Sequence, residues 1–241
     1  MTLSVLIPAY NEAQRIAATV AVTLALPGVT EVLVVDDGST DETAKRAEQA
    51  GASVVRLTQN GGKAAALTAG FQVAKGDLLL LLDADLGVTA AEAIKLIPPV
   101  LSGETDMTIA LFPVIPGRGG GMGLVLRLAR WGVQHATGRA LQAPLSGQRC
   151  LKREVLAAAL PLAAGFGIET GLNLSALKAG YRILEVPTTM DHRVTQNDWQ
   201  DKLHRARQLR DVAKALLTSP PTPGYPLGAD ARPSLGKGNK Q

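Results

Sequence analysis

The 241-residue chain has little of several features that would assign it to other classes of protein. A single cysteine, Cys150, excludes an internal disulfide and suits a reducing compartment. No uncharged apolar run reaches the roughly 20 residues that a membrane-spanning helix needs. Aromatic residues make up only 3%, and no recognisable nucleic-acid-binding module is present. We therefore expect a cytoplasmic protein without a nucleic-acid partner, and without a signal peptide because a strand pattern begins at Leu3.

Acidic residues are missing from one long segment, Pro113–Arg153, although the whole chain carries a net charge of only +4. The seven basic residues of this segment are Arg118, Arg127, Arg130, Arg139, Arg149, Lys152 and Arg153. A local positive field of this kind suits a ligand that carries phosphate. An ordinary solvated basic surface is the alternative interpretation.

Apolar strands and helices alternate regularly in the first half of the chain, where hydrophobic residues supply ample core material. The predicted strands are Leu3–Ile7, Glu31–Val35, Ser53–Leu57, Leu78–Leu82 and Met107–Phe112. The predicted helices are Asn11–Leu26, Thr40–Ala50, Gly62–Lys75 and Thr89–Leu101. This order predicts an α/β fold, with a mostly parallel central sheet and helices on both faces. Ligands of such sheets bind beyond the carboxyl ends of the strands.

The second half is less regular, but it is predicted to complete the same domain. The pattern predicts a loop over Pro113–Gly123, helices over Leu124–Ala136, Lys152–Leu160, Glu169–Ala179 and Trp199–Leu217, and a strand over Tyr181–Val186. We expect one domain over 1–217, with a nucleotide-binding half (1–112) and an acceptor half (113–217), and a disordered tail over 218–241. Peripheral contact of two helices with the inner membrane surface and a homodimer both stay open.

Carboxylates follow two of the predicted strands directly. Asp36 and Asp37 end the second strand, and they could accept hydrogen bonds from a base N–H and from ribose hydroxyls, although Asp37 or Ser39 could instead cap the next helix. Asp83 and Asp85 follow the fourth strand, and such a pair can hold a divalent cation that in turn grips a diphosphate.

Three motifs resemble glycosyltransferase family 2 and its relatives of the GT-A fold. They are Ile7-Pro8-Ala9-Tyr10-Asn11-Glu12, Val35-Asp36-Asp37-Gly38-Ser39-Thr40-Asp41 and Asp83-Ala84-Asp85. The segment Asn60–Leu67, with Lys63, is similar to the Gly-Lys segment of that family. The resemblance implies that Pro8, Tyr10, Glu12 and Asp37 lie around the nucleoside. It also implies that Asp83 and Asp85 hold Mg²⁺ or Mn²⁺ against the sugar diphosphate. We also expect nucleotide contacts from Asp36, Lys63, Asp83 and Ala84.

The second half resembles glucosyl-3-phosphoglycerate synthases and, more loosely, polyprenyl-phosphate sugar transferases. The motifs are Ala143-Pro144-Leu145-Ser146-Gly147-Gln148-Arg149, Gly165-Phe166-Gly167-Ile168-Glu169-Thr170 and Asp191-His192-Arg193. The resemblance implies that His192 is a further metal ligand and that Glu169 lies near the acceptor hydroxyl or the reacting sugar. A surface histidine, and an acid placed favourably at a helix N-terminus, are the plainer alternatives.

These observations predict a metal-dependent transfer of a hexose from a UDP- or GDP-sugar to an acceptor that carries phosphate. The acceptor would resemble 3-phosphoglycerate or a polyprenyl phosphate. We expect Glu169 and Asp85 to be catalytic. The predicted phosphate or acceptor contacts are Arg118, Arg139, Ser146, Gly147 and Arg149. A nucleotide-sugar-binding protein without activity and a sugar-phosphate nucleotidyltransferase are the alternatives. The two resemblances disagree on whether the sugar configuration is inverted or retained.

Overall fold

A seven-stranded sheet forms the centre of the computed structural model, which describes residues 1–112, 123–190 and 209–217. The strands are β1 (Leu3–Ala9), β2 (Val29–Asp36), β3 (Ser53–Arg56), β4 (Leu78–Leu81), β5 (Met107–Leu111), β6 (Arg149–Lys152) and β7 (Ile183–Pro187). Their order across the sheet is β3-β2-β1-β4-β6-β5-β7. Only β6 runs antiparallel to its neighbours, so the predicted mostly parallel sheet is confirmed.

Helices connect the strands. They are α1 (Ile16–Leu24), α2 (Thr43–Gln49), α3 (Lys63–Val73), α4 (Ile97–Leu101), α5 (Gly123–Thr137), α6 (Arg153–Ala157) and α7 (Ile168–Lys178), with 3-10 helices at Gly87–Leu96 and Gly165–Gly167. Residues 209–217 are also helical. In the described parts of the chain, no helix is both long and apolar enough to cross a bilayer.

Alternation of side chains along the buried strands produces two core layers, one on each face of the sheet. Val5 and Leu80 point into the layer that α1 and the Gly87–Leu96 helix cover. Leu6 and Leu79 point into the opposite layer, which α3 and α7 cover. Because both faces are covered, the strands are almost continuously apolar, as is typical of buried parallel strands. The predicted helices on both faces are therefore confirmed.

The sheet changes direction at β1. Strands β2 and β3 lie in succession on one side of β1, whereas β4 lies on the other side of β1. Such a reversal leaves a crevice at the carboxyl ends of the flanking strands, and this crevice is the usual ligand site of open α/β sheets. Three of the predicted motifs follow β1, β2 and β4, so the topology brings them to one place.

Helix α1 holds the loop that follows β4. The Thr19 hydroxyl, which is fully buried, donates to the carbonyl oxygen of Ala84 at 2.9 Å and accepts from the backbone N–H of Gly87 at 2.8 Å. Arg15 Nη1 donates to the carbonyl oxygen of Asp85 at 2.9 Å. The Asp83-Ala84-Asp85 segment is therefore fixed by side chains from α1 as well as by its own strand.

Several boundaries differ from those predicted. Strand β6 was not predicted, because it has only four residues with a basic residue at each end; the predicted helix Lys152–Leu160 correspondingly shortens to α6, which starts at Arg153. The predicted helix Thr89–Leu101 is a 3-10 helix followed by the short α4, which carries Pro98 and Pro99 in its first turn. Residues 113–122, 191–208 and the predicted tail 218–241 lie outside the described residues.

We expect Thr19→Val to lower the free energy of unfolding by about 1–3 kcal/mol, because it leaves the buried Ala84 carbonyl and Gly87 N–H unpaired. Thr23→Val is the matched control. Thr23 is equally buried on the same helix, but its hydroxyl donates only to the Thr19 carbonyl within α1. Urea denaturation of both variants checks this. Equal losses would show that the Thr19 hydroxyl does not hold the loop.

Candidate active site

A cavity of about 210 Å³ lies at the carboxyl ends of β1, β2 and β4. We call it the carboxylate cavity. Its lining consists of Pro8, Ala9, Tyr10, Glu12, Asp37, Lys63, Ala66, Asp83, Ala84 and Asp85. Every residue predicted to contact the nucleotide is among them except Asp36. The structure thus brings residues from four segments of the first half into one crevice.

The loops after β1 and β2 hold each other in place. Asn11 adopts a left-handed backbone conformation with φ 55°, which asparagine tolerates better than most residues. Its N–H donates to Ser39 Oγ and its Oδ1 accepts from the Thr40 N–H, both at 2.9 Å. The Glu12 N–H donates to Thr43 Oγ1 at 2.8 Å. These bonds set the backbone that carries the neighbouring cavity residues.

The adjacent aspartates after β2 have different surroundings. Asp37 lines the carboxylate cavity, and its two carboxylate oxygens accept from the N–H groups of Gly61 and Gly62 at 2.8 and 2.7 Å. Asp36 is buried and accepts from the Ser39 N–H at 3.1 Å. Asp36 therefore closes the turn and does not line the cavity, in contrast to the predicted nucleotide contact.

Lys63 joins the two halves of the chain. Its ammonium nitrogen lies 2.7 Å from Asp83 Oδ1 and 3.0 Å from Glu169 Oε1, and all three side chains are at least 70% buried. Burial alone would lower the pKa of Lys63, but the charges of Asp83 and Glu169 outweigh it and raise the pKa of the ammonium. Lys63 therefore stays charged and holds two carboxylates close together.

Gln148 clamps Asp83 from the other side. Its Oε1 accepts from the Asp83 N–H at 2.9 Å, and its Nε2 donates to Asp83 Oδ2 at 2.5 Å. It is fully buried at the start of β6. A Cβ on the preceding Gly147 would lie 2.6 Å from Lys63 Nζ, so a side chain there would displace the Lys63 ammonium. No role was predicted for Gln148 from the sequence, because the adjoining strand β6 was not predicted.

The carboxylate oxygens of the carboxylate cavity suit a hard divalent cation. Asp83 and Asp85 both line it, and carboxylate oxygens are the ligands that Mg²⁺ and Mn²⁺ prefer. Each carboxylate offers about four lone-pair sites, so the bonds from Lys63 and Gln148 leave Asp83 capacity for a metal. Across the described residues, no group of three or more His, Cys, Asp or Glu side chains is arranged to hold a metal. The remaining predicted ligand, His192, lies outside them.

Arg149 has a structural position rather than the predicted phosphate contact. It is 1% exposed. Its Nε donates to the Ser146 carbonyl at 2.8 Å and its Nη1 to Asn173 Oδ1 at 2.6 Å, so it ties the loop before β6 to α7. Burial lowers the pKa of its guanidinium to about 10, against the raising effect of Glu169 and Asp83. Arg139 is exposed beyond α5 and lines neither cavity described here, and Arg118 lies outside the described residues.

A second cavity, of about 340 Å³, lies between the end of β5, α5 and the loop before β6, and we call it the apolar cavity. Its lining consists of Leu111, Phe112, Leu126, Arg130, Gln142, Ala143, Leu145 and Ser146. Ser146 is 7% exposed, and its hydroxyl has no hydrogen-bond partner among the residues that the structure describes. Of the predicted acceptor residues, Ser146 lines the apolar cavity, whereas Gly147 abuts Lys63 and Asp83 of the carboxylate cavity.

The sheet order and the carboxylate cavity at its reversal define an α/β protein whose candidate ligand site lies at the carboxyl ends of its strands. A family model described as glycosyl transferase family 2 matches residues 4–154. The chain belongs to glycosyl transferase family 2, as the three motifs predicted.

Curated relatives agree with this membership. Glycosyltransferase AglJ of Haloferax volcanii is 33% identical over 189 residues, covering 77% of this chain and 61% of the relative. Glucosyl-3-phosphoglycerate synthase of Mycobacterium tuberculosis is 34% identical over 194 residues, covering 71% and 59%. The chain thus spans about three fifths of the length of these relatives.

A solved structure of the Mycobacterium tuberculosis glucosyl-3-phosphoglycerate synthase, in complex with Mn²⁺, UDP-glucose and phosphoglyceric acid, is similar over most of the chain. The TM-score is 0.74 at 31% identity, and the match covers 90% of this chain and 79% of that one. The predicted GT-A fold is confirmed.

We expect Lys63→Met to lower the free energy of unfolding by about 1–2 kcal/mol, between the values for exposed and buried ion pairs. Because the pKa of Lys63 is raised above its ordinary 10.5, the group contributes stability below that value and loses it only at higher pH. The deficit should therefore stay constant from about pH 6 to about pH 9.

Lys45→Met is the control, since Lys45 forms an exposed pair with Glu42 on α2. Urea denaturation across this pH range measures both. A deficit that grows between pH 7 and pH 9 would mean that burial, not the two carboxylates, dominates the titration of Lys63.

Proposed function

We propose that the chain transfers a hexosyl group from a nucleoside diphosphate sugar to an acceptor, with the help of a divalent cation. The observation that carries this proposal is the carboxylate cavity, in which Asp83 and Asp85 lie beside Lys63 and opposite Pro8, Tyr10 and Asp37. Such a cavity presents cation-binding oxygens where a diphosphate would lie, next to a crevice for the nucleoside. The complexes of the similar synthase with Mn²⁺ and UDP-glucose support the same assignment.

Asp83 and Asp85 would hold Mg²⁺ or Mn²⁺, with the predicted His192 as a further ligand. A bound cation would offset the charge that develops on the diphosphate leaving group. The protein's own contribution is to keep the two carboxylates oriented: Gln148 and Lys63 fix Asp83, while α1 fixes the backbone at Ala84 and Asp85.

The transfer breaks the bond between the anomeric carbon and the diphosphate oxygen and forms one to an acceptor oxygen. Glu169, on the first turn of α7, faces Lys63 at 3.0 Å. This position suits a role in orienting the acceptor hydroxyl or the sugar. A phosphate acceptor would already be ionised and would need no strong general base. Transfer to a hydroxyl acceptor would depend more strongly on Glu169.

The acceptor is proposed to carry an anionic group. The acid-free segment Pro113–Arg153 supports this choice, since Arg127, Arg130 and Arg139 are exposed basic residues on or next to α5. The similar synthase is known in complex with phosphoglyceric acid, which is an acceptor-like ligand of the expected charge.

We expect metal-dependent release of a nucleoside diphosphate from one member of a panel of UDP-, GDP- and ADP-sugars. Asp85→Asn should lower kcat/KM for that donor by about 100-fold or more, because it removes a charged ligand rather than an outer contact. Release is measured with Mg²⁺, Mn²⁺ or chelator, and with 3-phosphoglycerate or a short prenyl phosphate as acceptor.

Asp77→Asn is the matched control, because Asp77 precedes the opposite end of the same strand and bonds to Thr2. It should retain the activity of the unmodified chain. If no donor is turned over and metal makes no difference, the transferase assignment fails and a nucleotide-sugar-binding protein becomes the better description.

A second variant tests how Asp83 is held. Gln148→Leu leaves both the N–H and one oxygen of Asp83 without their protein partner, so the metal concentration for half-maximal rate should rise about 10–100-fold. Gln72→Leu, at an exposed position on α3, should leave it unchanged. An unaltered metal response in Gln148→Leu would show that the clamp is not needed for metal binding.

A further inference from the structure

Lys63 carries the only positive charge among the described residues that line the carboxylate cavity. The acidic side chains of that lining are Glu12, Asp37, Asp83 and Asp85. A divalent cation held by Asp83 and Asp85 would therefore share the cavity with an ammonium that the chain itself supplies. Because like charges repel, each cation would oppose the binding of the other.

Lys63 and a metal would share the same carboxylate. The ammonium nitrogen lies 2.7 Å from Asp83 Oδ1, and Gln148 Nε2 donates to Asp83 Oδ2 at 2.5 Å. The side chains of Lys63 and Asp83 are only 30% and 27% exposed, so their charges are screened less than those of open surface residues. Repulsion between an ammonium and a divalent cation on one carboxylate is enough to weaken metal binding about tenfold or more.

We infer that Lys63 is a built-in counter-ion of Asp83, which keeps metal binding weak until the diphosphate of the donor draws the ammonium away. Before the donor binds, the ammonium offsets the charge of Asp83. When the diphosphate binds, its oxygens compete for the ammonium, and the Asp83 carboxylate becomes available to the metal. The inference rests on the proposed function, and it adds a reason for nucleotide and metal to bind together.

The surroundings of Lys63 allow its ammonium to change partner. A lysine has a flexible four-carbon stem and three rotatable donors, and Glu169 Oε1 at 3.0 Å is a second partner that it can retain. Gly147 leaves room beside the ammonium, since a Cβ there would lie 2.6 Å from Nζ. Lys63 can therefore leave Asp83 without becoming an unpaired charge in a largely buried position.

A purely structural ion pair would have the opposite effect on metal binding. If Lys63 only joined α3 to α7, its removal would loosen the cavity and weaken metal binding. If Lys63 is a counter-ion, its removal should strengthen metal binding to the nucleotide-free chain. Coupling between two ligands is also reciprocal, so metal and nucleotide must raise each other's affinity by the same factor, and part of that factor would be lost with Lys63.

Mn²⁺ binding to the full chain without nucleotide tests the inference. The EPR signal of free Mn²⁺ is followed as the metal is titrated into the unmodified chain and into Lys63→Met. The variant should bind Mn²⁺ about tenfold more tightly or better, because the repulsion is removed while Asp83 and Asp85 remain. Urea denaturation verifies that the variant is folded, and Lys63→Gln takes its place if it is not.

Three further variants are the controls. Lys63→Arg retains the charge and should bind Mn²⁺ as weakly as the unmodified chain. Lys45→Met removes a positive charge from the exposed pair with Glu42 and should have no effect, which excludes a general effect of net charge. Asp85→Asn combined with Lys63→Met should abolish the gain, which locates the gain at the carboxylate cavity.

Equilibrium dialysis with UDP, GDP and ADP, in Mn²⁺ or in chelator, measures the coupling. Mn²⁺ should raise the affinity of the unmodified chain for at least one nucleotide. The increase should be smaller in Lys63→Met, because no ammonium then has to leave Asp83 before the metal binds.

A Mn²⁺ affinity of nucleotide-free Lys63→Met that equals or falls below that of the unmodified chain would overturn the inference. An equal gain in Lys63→Arg or Lys45→Met, or an undiminished coupling, would do the same. The proposed function fails by a different result, in which Mn²⁺ leaves the affinity of the unmodified chain for every nucleotide unchanged. A chain in which Mn²⁺ promotes nucleotide binding, but Lys63→Met shows no gain, keeps the proposed function and loses the inference.

Discussion

The contact on which the candidate active site depends is the ammonium of Lys63 between two carboxylates. Asp83 ends a buried strand, Glu169 begins α7, and Lys63 begins α3, so three elements far apart in the chain converge on one nitrogen. Without a positive charge, two largely buried carboxylates would repel each other. Because the pKa of Lys63 is raised by this arrangement, the charge persists at any physiological pH, and the two halves of the domain stay joined at the cavity.

Residues that support the site differ from residues that face a ligand in one respect: the polar atoms of the supporting residues already have hydrogen-bond partners within the protein. Arg149, Gln148 and Asp36 are buried, and protein groups occupy their donors or acceptors. Such residues position the cavity walls, and a ligand would have to break existing bonds to reach them. The hydroxyl of Ser146 is in the opposite situation, since it is buried but has no partner in the described part of the chain. The same distinction explains why a charged residue in a motif need not touch substrate.

The first half of the fold could be predicted from the sequence because its signals are local. Buried parallel strands read as short apolar runs, and the polar residues that follow them must lie at one edge of the sheet. This reasoning placed Asp83 and Asp37 together, and the family resemblance added Tyr10. The exception was Asp36, because adjacent residues at a strand end face opposite sides, and the sequence does not say which of two aspartates faces the crevice.

The second half could not be predicted as well because its structure depends on distant partners. Strand β6 contains Arg149, whose burial becomes favourable only when Asn173 and the Glu169 carbonyl of α7, together with the Pro144 carbonyl of the preceding loop, surround the guanidinium. No pattern in the neighbouring sequence indicates that Arg149 has such partners. Gln148 was missed for the same reason, since its role is defined by Asp83, 65 positions earlier in the chain.

Gly147 shows how closely the two cavities are coupled. A side chain there would meet Lys63 Nζ at 2.6 Å and Asp83 Oδ2 at 3.0 Å, so it would push apart the ion pair that organises the carboxylate cavity. The neighbours of Gly147 face different partners: Gln148 holds Asp83, and Ser146 lines the apolar cavity. The segment Ser146–Gln148 therefore connects residues of both cavities, and a side chain at Gly147 would act directly on Lys63 and Asp83, the pair on which the carboxylate cavity depends.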